Sequence, residues 1–216
     1  MNDWFSYRTV LVQTLCFLFC IGCYHSNNPT NHYLSLLGGL SMEQRITIVG
    51  DSLGQWSEGF GLKTKLPQEF KVTDISVAGY TTEDWLQNRS RMEEIPTDLW
   101  IIELGTNDAM VYGTNGFESR TLELISILQS SPTTKILLTT IPLTNMSSIR
   151  EIIRSNNQIL RQLKGKKTNI DFVDIESLFE SNPGTIPLYP ISDPIHPNQL
   201  GYELMGEAYR KKILGI

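Results

Sequence analysis

The sequence predicts an α/β domain in which a parallel sheet of about five strands lies between two layers of helices. Short apolar runs rich in β-branched residues alternate with longer segments that repeat apolar residues at intervals of three and four. Most of the short runs are followed closely by Gly or Pro. Strands that are joined by helices favour a parallel sheet, and right-handed crossovers then leave few topologies. We therefore expect a three-layer α/β/α domain.

These patterns place the elements along the chain. The predicted strands are residues 46–49, 71–77, 99–104, 136–141 and 170–175. The predicted crossover helices are residues 82–95, 117–129 and 146–163. In the second of these helices, Leu122, Ile125 and Leu128 have helical spacing, so they would form its buried face.

A last helix is predicted to begin at Pro197 and to run to about residue 214. Proline suits the first helical position because the N–H group that it lacks would have no partner there. The expected buried stripe consists of Leu200, Leu204, Ala208 and Ile213.

Length, composition and charge restrict the function classes. A chain of 216 residues fits one domain with an appendage, at roughly 150 residues per domain. Hydrophobic residues make up 40% and charged residues 19%, which is typical of a packed globule and excludes a disordered or collagen-like chain. The net charge of −5 supplies no cationic field for a phosphate backbone, so nucleic acid is not an expected partner.

Residues 1–22 have the pattern of an export signal. The largely apolar run at residues 9–22 would span only about 21 Å as a helix, which is too short for a hydrocarbon core of roughly 30 Å but suits a signal peptide. The segment ends in the sequence CIGC at residues 20–23, which resembles a bacterial lipobox with Cys23 as the site of lipid attachment. A plain cleaved signal and a short buried helix are the alternatives.

Residues 23–40 begin with a polar stretch and would form a flexible tether to a domain at residues 41–216. His25 and His32 fall in this tether, where solvated side chains are expected rather than a metal site. All three cysteines precede the domain, so neither a disulfide framework nor a thiolate metal site is expected in it. The expected location is a bacterial cell envelope, with the membrane as a partner through the lipid anchor.

Residues suited to catalysis collect where the predicted strands end. The sequence GDSL at residues 50–53 follows the first strand, Gly79 follows the second, and GTND at residues 105–108 follows the third. The sequence DPIHP at residues 193–197 precedes the last helix. Because the carboxyl ends of parallel strands share one edge, where ligands bind, we expect these residues to meet there.

Ser52, His196 and Asp193 are the candidate catalytic residues. Ser52 lies in a Gly-flanked turn after a buried strand, and its hydroxyl can act as a nucleophile if a base is within hydrogen-bond reach. His196 is the only histidine outside the tether and would be that base. Asp193 lies three residues earlier in a segment stiffened by two prolines, so it can hold one imidazole nitrogen and leave the other free.

The oxyanion that forms in such an attack needs donors that are already in position. The candidates are the backbone N–H groups of Ser52 and Gly79 and the side-chain amide of Asn107. Each feature also has a structural explanation, because Ser52 can cap a helix while Gly79 and Asn107 can serve ordinary turns. Their order along the chain and their complementary roles favour catalysis.

With these motifs the chain resembles the SGNH hydrolases, also called the GDSL esterase/lipase family. The four blocks that carry the resemblance are residues 50–53, 74–79, 105–108 and 193–198, and it covers about residues 45–209. It implies a flavodoxin-like α/β/α fold. It also implies Ser52 as nucleophile, His196 as base, Asp193 as the residue that orients it, and an oxyanion hole of Ser52, Gly79 and Asn107.

Two features depart from the family pattern. The second block commonly opens with Asn and has a further Gly, where this chain has Asp74 and Ser76. Residues 54–60, after the nucleophile, match no particular subfamily, so the resemblance does not assign a substrate.

The expected function is hydrolysis of acyl or acetyl esters of lipids, glycans or small molecules through an acyl-enzyme, with no metal or organic cofactor. The alternative is a membrane-tethered binding protein that keeps the fold without turnover. A nucleotide-binding domain is not favoured, because neither phosphate-binding glycine motif follows the first strand. Short loops indicate an open site. Six side chains could line an acyl pocket or simply pack: Trp56, Tyr80, Met110, Tyr112, Leu188 and Tyr189.

Overall fold

A computed structural model of the protein describes residues 43–166, 168–182 and 187–216. Within these ranges one sheet contains β1 Gln44–Gly50, β2 Phe70–Asp74, β3 Leu99–Glu103, β4 Lys135–Thr139 and β5 Ile170–Val173. Neighbouring strands pair in parallel, in the order β2-β1-β3-β4-β5. This is the strand order of flavodoxin-like folds, so the predicted fold class is confirmed.

Helices flank the sheet in the same ranges. They are α1 Ser52–Trp56, α2 Leu62–Lys65, α3 Thr82–Gln87, α4 Ser90–Glu93, α5 Thr106–Val111, α6 Phe117–Leu128, α7 Arg150–Leu163, α8 Ile175–Glu180 and α9 Gln199–Leu214. Two short 3₁₀ turns occupy Gly59–Gly61 and Ser147–Ile149.

The predicted export signal at residues 1–22, the lipid attachment at Cys23 and the tether at residues 23–40 lie outside the described residues. In the part of the chain that is described, no helix combines the length and the apolar character needed to cross a bilayer.

Alternation of side chains along the strands creates two apolar cores, one on each face of the sheet. On β3, Trp100 and Ile102 join the core that contains Leu124 of α6. Ile101, which points the other way, joins the core that contains Tyr209 of α9. The sheet is therefore covered on both faces, which is the three-layer arrangement.

Among the element boundaries that differ from those predicted, two are set by side chains that turn the chain early. The predicted helix at residues 82–95 is divided into α3 and α4, and Asn88 ends α3 by donating from its side chain to the Asp84 carbonyl at 2.8 Å. β2 ends at Asp74 rather than at residue 77, because the Asp74 carboxylate accepts the Ser76 N–H at 3.0 Å.

The last helix, α9, begins at Gln199, so the prediction that Pro197 is its first residue is wrong. Asn198 is the N-cap, and its side-chain oxygen accepts the Gly201 N–H at 3.1 Å. This side-chain cap starts the helix after the proline.

The stripe predicted for α9 is confirmed only in part. Leu204, Ala208 and Ile213 are partly buried and pack against the core under the helix, whereas Leu200 is exposed. The helix packs through two glycines and two large side chains, which are Gly201, Met205, Gly206 and Tyr209. Two glycines give a helix no apolar signal in the sequence, so the pattern located the border of the buried face rather than its centre.

Candidate active site

Ser52 lies where β1 passes into α1, at the carboxyl edge of the sheet and beside the point where the strand order reverses. Asp51, between the two elements, is the N-cap of α1 and accepts the Leu53 N–H at 2.9 Å. This short strand-to-helix turn holds the Ser52 hydroxyl at the rim of the sheet.

The Ser52 hydroxyl and the His196 imidazole are in direct contact, although the two residues are 144 positions apart in the chain. The distance from Ser52 Oγ to His196 Nε2 is 2.9 Å. On the other side of the ring, Nδ1 lies 2.7 Å from Asp193 Oδ2. The structure thus brings the three predicted residues into one hydrogen-bonded line, with the spacing that a base needs to take a proton from a nucleophile.

Backbone donors hold the Asp193 carboxylate in place. Its Oδ1 accepts the N–H groups of Ile195 and His196, each at 3.0 Å. Burial acts to raise the pKa of Asp193, but these two N–H groups and the imidazole together hold that pKa below its ordinary value. Asp193 therefore stays ionised and favours a proton on Nδ1 of His196, which leaves Nε2 as the acceptor.

Gly79 lies in the turn after β2 and has a φ of +83°, a conformation that side chains rarely adopt. No atom lies within 4 Å of the position that a Cβ would take. The N–H groups on either side are engaged, since Ala78 donates to Gln55 Oε1 at 2.7 Å and Tyr80 donates to the Val77 carbonyl at 3.1 Å. Among the described residues the Gly79 N–H has no such partner, so it is open to a ligand.

Asn107, in the first turn of α5, connects the segments that follow β1 and β2. Its side-chain amide donates to the Tyr80 carbonyl at 3.0 Å and to Asp51 Oδ2 at 3.3 Å. The second distance is long for an N–H···O bond, so the hydrogen that points to Asp51 is only weakly held. The amide is thus a donor beside Ser52 with one hydrogen that a stronger acceptor can take.

Two further carboxyls are buried behind this site. Burial, with a smaller effect from the charge of Asp108, raises the pKa of Asp51 to about 7. Burial and then the charges of Asp51 and Asp74 raise the pKa of Glu103 well above its ordinary value. Glu103 Oε2 has no hydrogen-bond partner among the described residues, so nothing there offsets the cost of ionising it.

A buried ion pair connects Asp108, directly after Asn107, to the helix that follows Gly79. The fully buried Asp108 accepts the backbone N–H of Thr82 at 2.9 Å and the hydroxyl of Thr82 at 2.5 Å. Arg120 of α6 donates to Asp108 at 3.2 Å and to the Thr82 hydroxyl at 2.9 Å. These contacts fix the positions of the two loops that carry the candidate oxyanion donors. No motif in the sequence indicated Arg120, and the only signal for Asp108 was its place directly after Asn107.

The departures from the family pattern at Asp74 and Ser76 form a turn of their own. Asp74 Oδ1 accepts the Ser76 N–H at 3.0 Å and the Ser76 hydroxyl at 2.5 Å. The Ser76 side chain then packs against Gly50 and Gly54 on either side of the nucleophile. The substituted residues thus support the Ser52 turn.

The six candidate lining residues divide into exposed and packed side chains. Trp56 lies beside His196, with 4.1 Å between ring centroids. Trp56, Met110 and Tyr112 are all exposed. For the others packing is the better description, since Tyr80 meets Trp85 edge-on and the buried pair Leu188 and Tyr189 belongs to the core under α9.

A family model described as GDSL-like Lipase/Acylhydrolase matches residues 48–204, which include all four sequence blocks, at residues 50–53, 74–79, 105–108 and 193–198. The chain belongs to this family. Membership confirms the predicted family.

One curated relative and two solved structures are similar to the chain. A multidomain esterase from Ruminococcus flavefaciens is 25% identical over 138 residues, which are 60% of this chain and 17% of that esterase. The chain therefore spans only a small part of that relative. A lipase/acylhydrolase from Enterococcus faecalis has a TM-score of 0.65 and 23% identity, with 80% of this chain and 96% of that chain covered. An acetylxylan esterase from Geobacillus stearothermophilus has a TM-score of 0.61 and 20% identity, with 79% and 94% covered. These structures share the fold.

Proposed function

We propose that the protein is a serine esterase that hydrolyses small acyl esters, acetyl esters above all, through an acyl-enzyme on Ser52. The observation that carries this proposal is the line from Ser52 Oγ to His196 Nε2 at 2.9 Å and from His196 Nδ1 to Asp193 Oδ2 at 2.7 Å. A serine hydroxyl hardly ionises at neutral pH, so a base at this distance is what makes it a nucleophile.

The reaction follows from the arrangement of these groups. Ser52 Oγ attacks the ester carbonyl carbon while its proton passes to Nε2 of His196. The bond from that carbon to the alcohol oxygen then breaks, and the imidazolium returns the proton to the leaving alcohol. Water attacks the acyl-enzyme with His196 again as base, which releases the acid and restores the Ser52 hydroxyl. Asp193 stabilises the imidazolium in both steps.

Negative charge on the carbonyl oxygen requires donors in each step. The backbone N–H groups of Ser52 and Gly79 and the amide of Asn107 would supply them. The Asn107 hydrogen that points to Asp51 at 3.3 Å is the one expected to turn to the oxyanion.

A small acyl group is supported by two features. The exposed side chains beside the site, with Trp56 at 56% exposure, leave it open rather than enclosed. The fold is also shared with an acetylxylan esterase, which acts on acetyl esters.

A fluorophosphonate probe and p-nitrophenyl acetate test the proposal together. The parent protein should be labelled and should hydrolyse the ester, whereas Ser52→Ala should lose the label and the acyl-enzyme step. Ser155→Ala, on the exposed face of α7, is the matched control and should behave as the parent. A parent that takes no label, or a Ser52→Ala protein that keeps its activity, would favour the binding protein without turnover.

We also propose that the esterase is exported and held at the membrane through a lipid on Cys23. The apolar run at residues 9–22 and the CIGC sequence that ends it support this proposal. Mass spectrometry of the mature amino terminus should find a diacylated Cys23. A mature chain that begins at another residue without lipid would contradict the anchor.

A further inference from the structure

The side of the site that receives the alcohol can be located from His196. In the proposed reaction His196 gives its proton to the leaving alcohol, so the alcohol must lie against the imidazole. Trp56 lies on the same ring, with 4.1 Å between the centroids and 42° between the planes. The indole is 56% exposed, so an open aromatic face borders the position of the alcohol.

A groove begins at Trp56 and is lined by residues of the α1–α2 segment and of α9. Its volume of about 690 Å³ lies in the range of small-molecule sites. Its lining combines apolar surface, including Trp56, with carboxylate, ammonium and amide groups from Glu58, Lys63, Gln199 and Glu203. Such groups bind hydroxyls, whereas a long acyl chain needs an apolar channel.

One wall of the groove is a strained turn. Glu58, Gly59, Phe60 and Gly61 all have positive φ, at 51°, 66°, 59° and 65°. This left-handed backbone is unfavourable for Glu58 and Phe60, which carry a Cβ. The turn is held because Phe60 is buried edge-on against Tyr209, with 4.9 Å between ring centroids. Strain that the surrounding structure maintains in this way is typical of binding sites.

The opposite wall, α9, is fixed against this turn. A Cβ at Gly206 would lie only 2.3 Å from the Phe60 carbonyl oxygen, so glycine allows the close approach. Lys65 of α2 and Glu203 of α9 form an ion pair that connects the two walls. The groove therefore has a fixed width and does not depend on a mobile loop.

We propose that this groove is a carbohydrate subsite, in which Trp56 stacks on the face of a sugar ring while the ester on that ring reaches Ser52. Neighbouring sugars would lie along Gln199 and Glu203. The preferred substrate is then an O-acetylated oligosaccharide, an inference that rests on the proposed esterase function. A flat indole offers a large rigid apolar surface to the C–H face of a sugar, and polar walls bind its hydroxyls.

Two substrates distinguish binding in the groove from ester hydrolysis at Ser52. p-Nitrophenyl acetate reports ester hydrolysis without a sugar, and O-acetylated xylotriose reports the groove. Trp56→Ala should raise KM for both substrates unequally: the fold-increase for acetylated xylotriose should be about ten times the fold-increase for p-nitrophenyl acetate. This is the scale for truncating one aromatic anchor. Trp56→Tyr, which keeps an aromatic face, should restore most of the difference.

Two glutamine-to-alanine variants, one inside the groove and one outside it, test the polar part of its wall. Gln199→Ala should raise KM for acetylated xylotriose about threefold, as expected for one lost hydrogen bond. Gln87→Ala removes an exposed glutamine of α3 that lies outside the groove, so it should leave both substrates unaffected. Binding can be followed without turnover by titrating Ser52→Ala with xylotriose and recording indole fluorescence, a response that Trp56→Ala should abolish.

The outcomes distinguish the subsite from the esterase function. If Trp56→Ala changed KM by the same factor for both substrates, the indole would only support His196, and this result would overturn the subsite. A parent that hydrolyses p-nitrophenyl acetate but prefers lysophosphatidylcholine to acetylated xylotriose would also overturn it. A parent with neither ester hydrolysis nor fluorophosphonate labelling would instead remove the esterase function on which the subsite rests.

Discussion

The carboxylate of Asp193 binds His196 at two points, one on the ring and one on the backbone. Oδ2 lies 2.7 Å from Nδ1 of the imidazole, and Oδ1 accepts the backbone N–H of the same residue at 3.0 Å. The ring therefore cannot turn without losing a charge-assisted hydrogen bond, and Nε2 stays directed at Ser52. A spacing of three residues is enough to set both the orientation and the tautomer of the base.

Asp193→Asn should lower kcat for p-nitrophenyl acetate by about 10⁴-fold, the scale seen when the aspartate of a Ser-His-Asp arrangement becomes an amide. The amide can donate to Nδ1, which would move the proton to Nε2 and leave Ser52 without an acceptor. The control is Asp171→Asn in β5, where an exposed carboxylate pairs with Lys212. Both variants should fold, and only the first should lose activity; a loss below about tenfold would show that Asp193 does not set the tautomer.

Asn107→Ala should lower kcat by about 100- to 1000-fold with little change in KM, because it removes one oxyanion donor. The variant also loses the hydrogen bond to the Tyr80 carbonyl, so its thermal midpoint must be measured beside its kinetics. Asn88→Ala is matched to it, since that amide also donates to a backbone carbonyl, here of Asp84, away from the candidate site. If both variants lose stability and neither loses turnover, the Asn107 amide does not act on the oxyanion.

The parts of the site that could be predicted are those with a local signature at a strand end. Ser52, Gly79 and Asn107 each follow a strand that its apolar run identifies, and the topology of a parallel sheet then brings them to one edge. Asp193 and His196 could be paired because they are three residues apart. In each case the short-range sequence and the topology were sufficient.

The parts that could not be predicted depend on contacts between distant side chains. The pairing of Arg120 with Asp108 joins two helices, and although Asp108 follows Asn107, nothing in the sequence marks Arg120 as its partner. The contact of Trp56 with His196 joins the end of α1 to the segment before α9, which are far apart in the sequence. Hydrophobic periodicity reports only neighbours along one element, so the groove beside His196 had no signal in the sequence.

Asp108→Ala should reduce the free energy of unfolding by about 3–5 kcal/mol, because it leaves Arg120 largely buried without its charge partner. Urea unfolding measures the loss. The comparison is Glu93→Ala, which breaks the Arg89–Glu93 pair; with side chains 63% and 49% exposed, that pair should contribute less than about 1 kcal/mol. Similar losses in the two variants would mean that the buried pair does not hold the Asn107 and Thr82 segments together.

Glu103→Gln should stabilise the protein increasingly as the pH rises. Burial raises the pKa of Glu103 well above its ordinary value, so the folded state keeps a proton that the unfolded chain loses near pH 4.5. Where the folded state binds more protons, stability falls with rising pH until the folded-state pKa is passed. Glutamine has the same shape and cannot ionise, so the variant lacks this loss.

Thermal midpoints of the parent and of Glu103→Gln, measured between about pH 5 and pH 8, should therefore diverge in favour of the variant as pH rises. The carboxyl of Asp193 does not contribute, because its lowered pKa leaves it ionised in both states over this range. The raised pKa of Asp51, about 7, also makes the stability of the protein fall as pH rises. This loss occurs in both the parent and Glu103→Gln, so it does not separate their thermal midpoints. Glu123→Gln, at an exposed position of α6, is the control, and the difference between its thermal midpoint and that of the parent should stay constant with pH. A constant offset for Glu103→Gln as well would mean that this carboxyl is ionised in the folded protein, with a partner that offsets its burial.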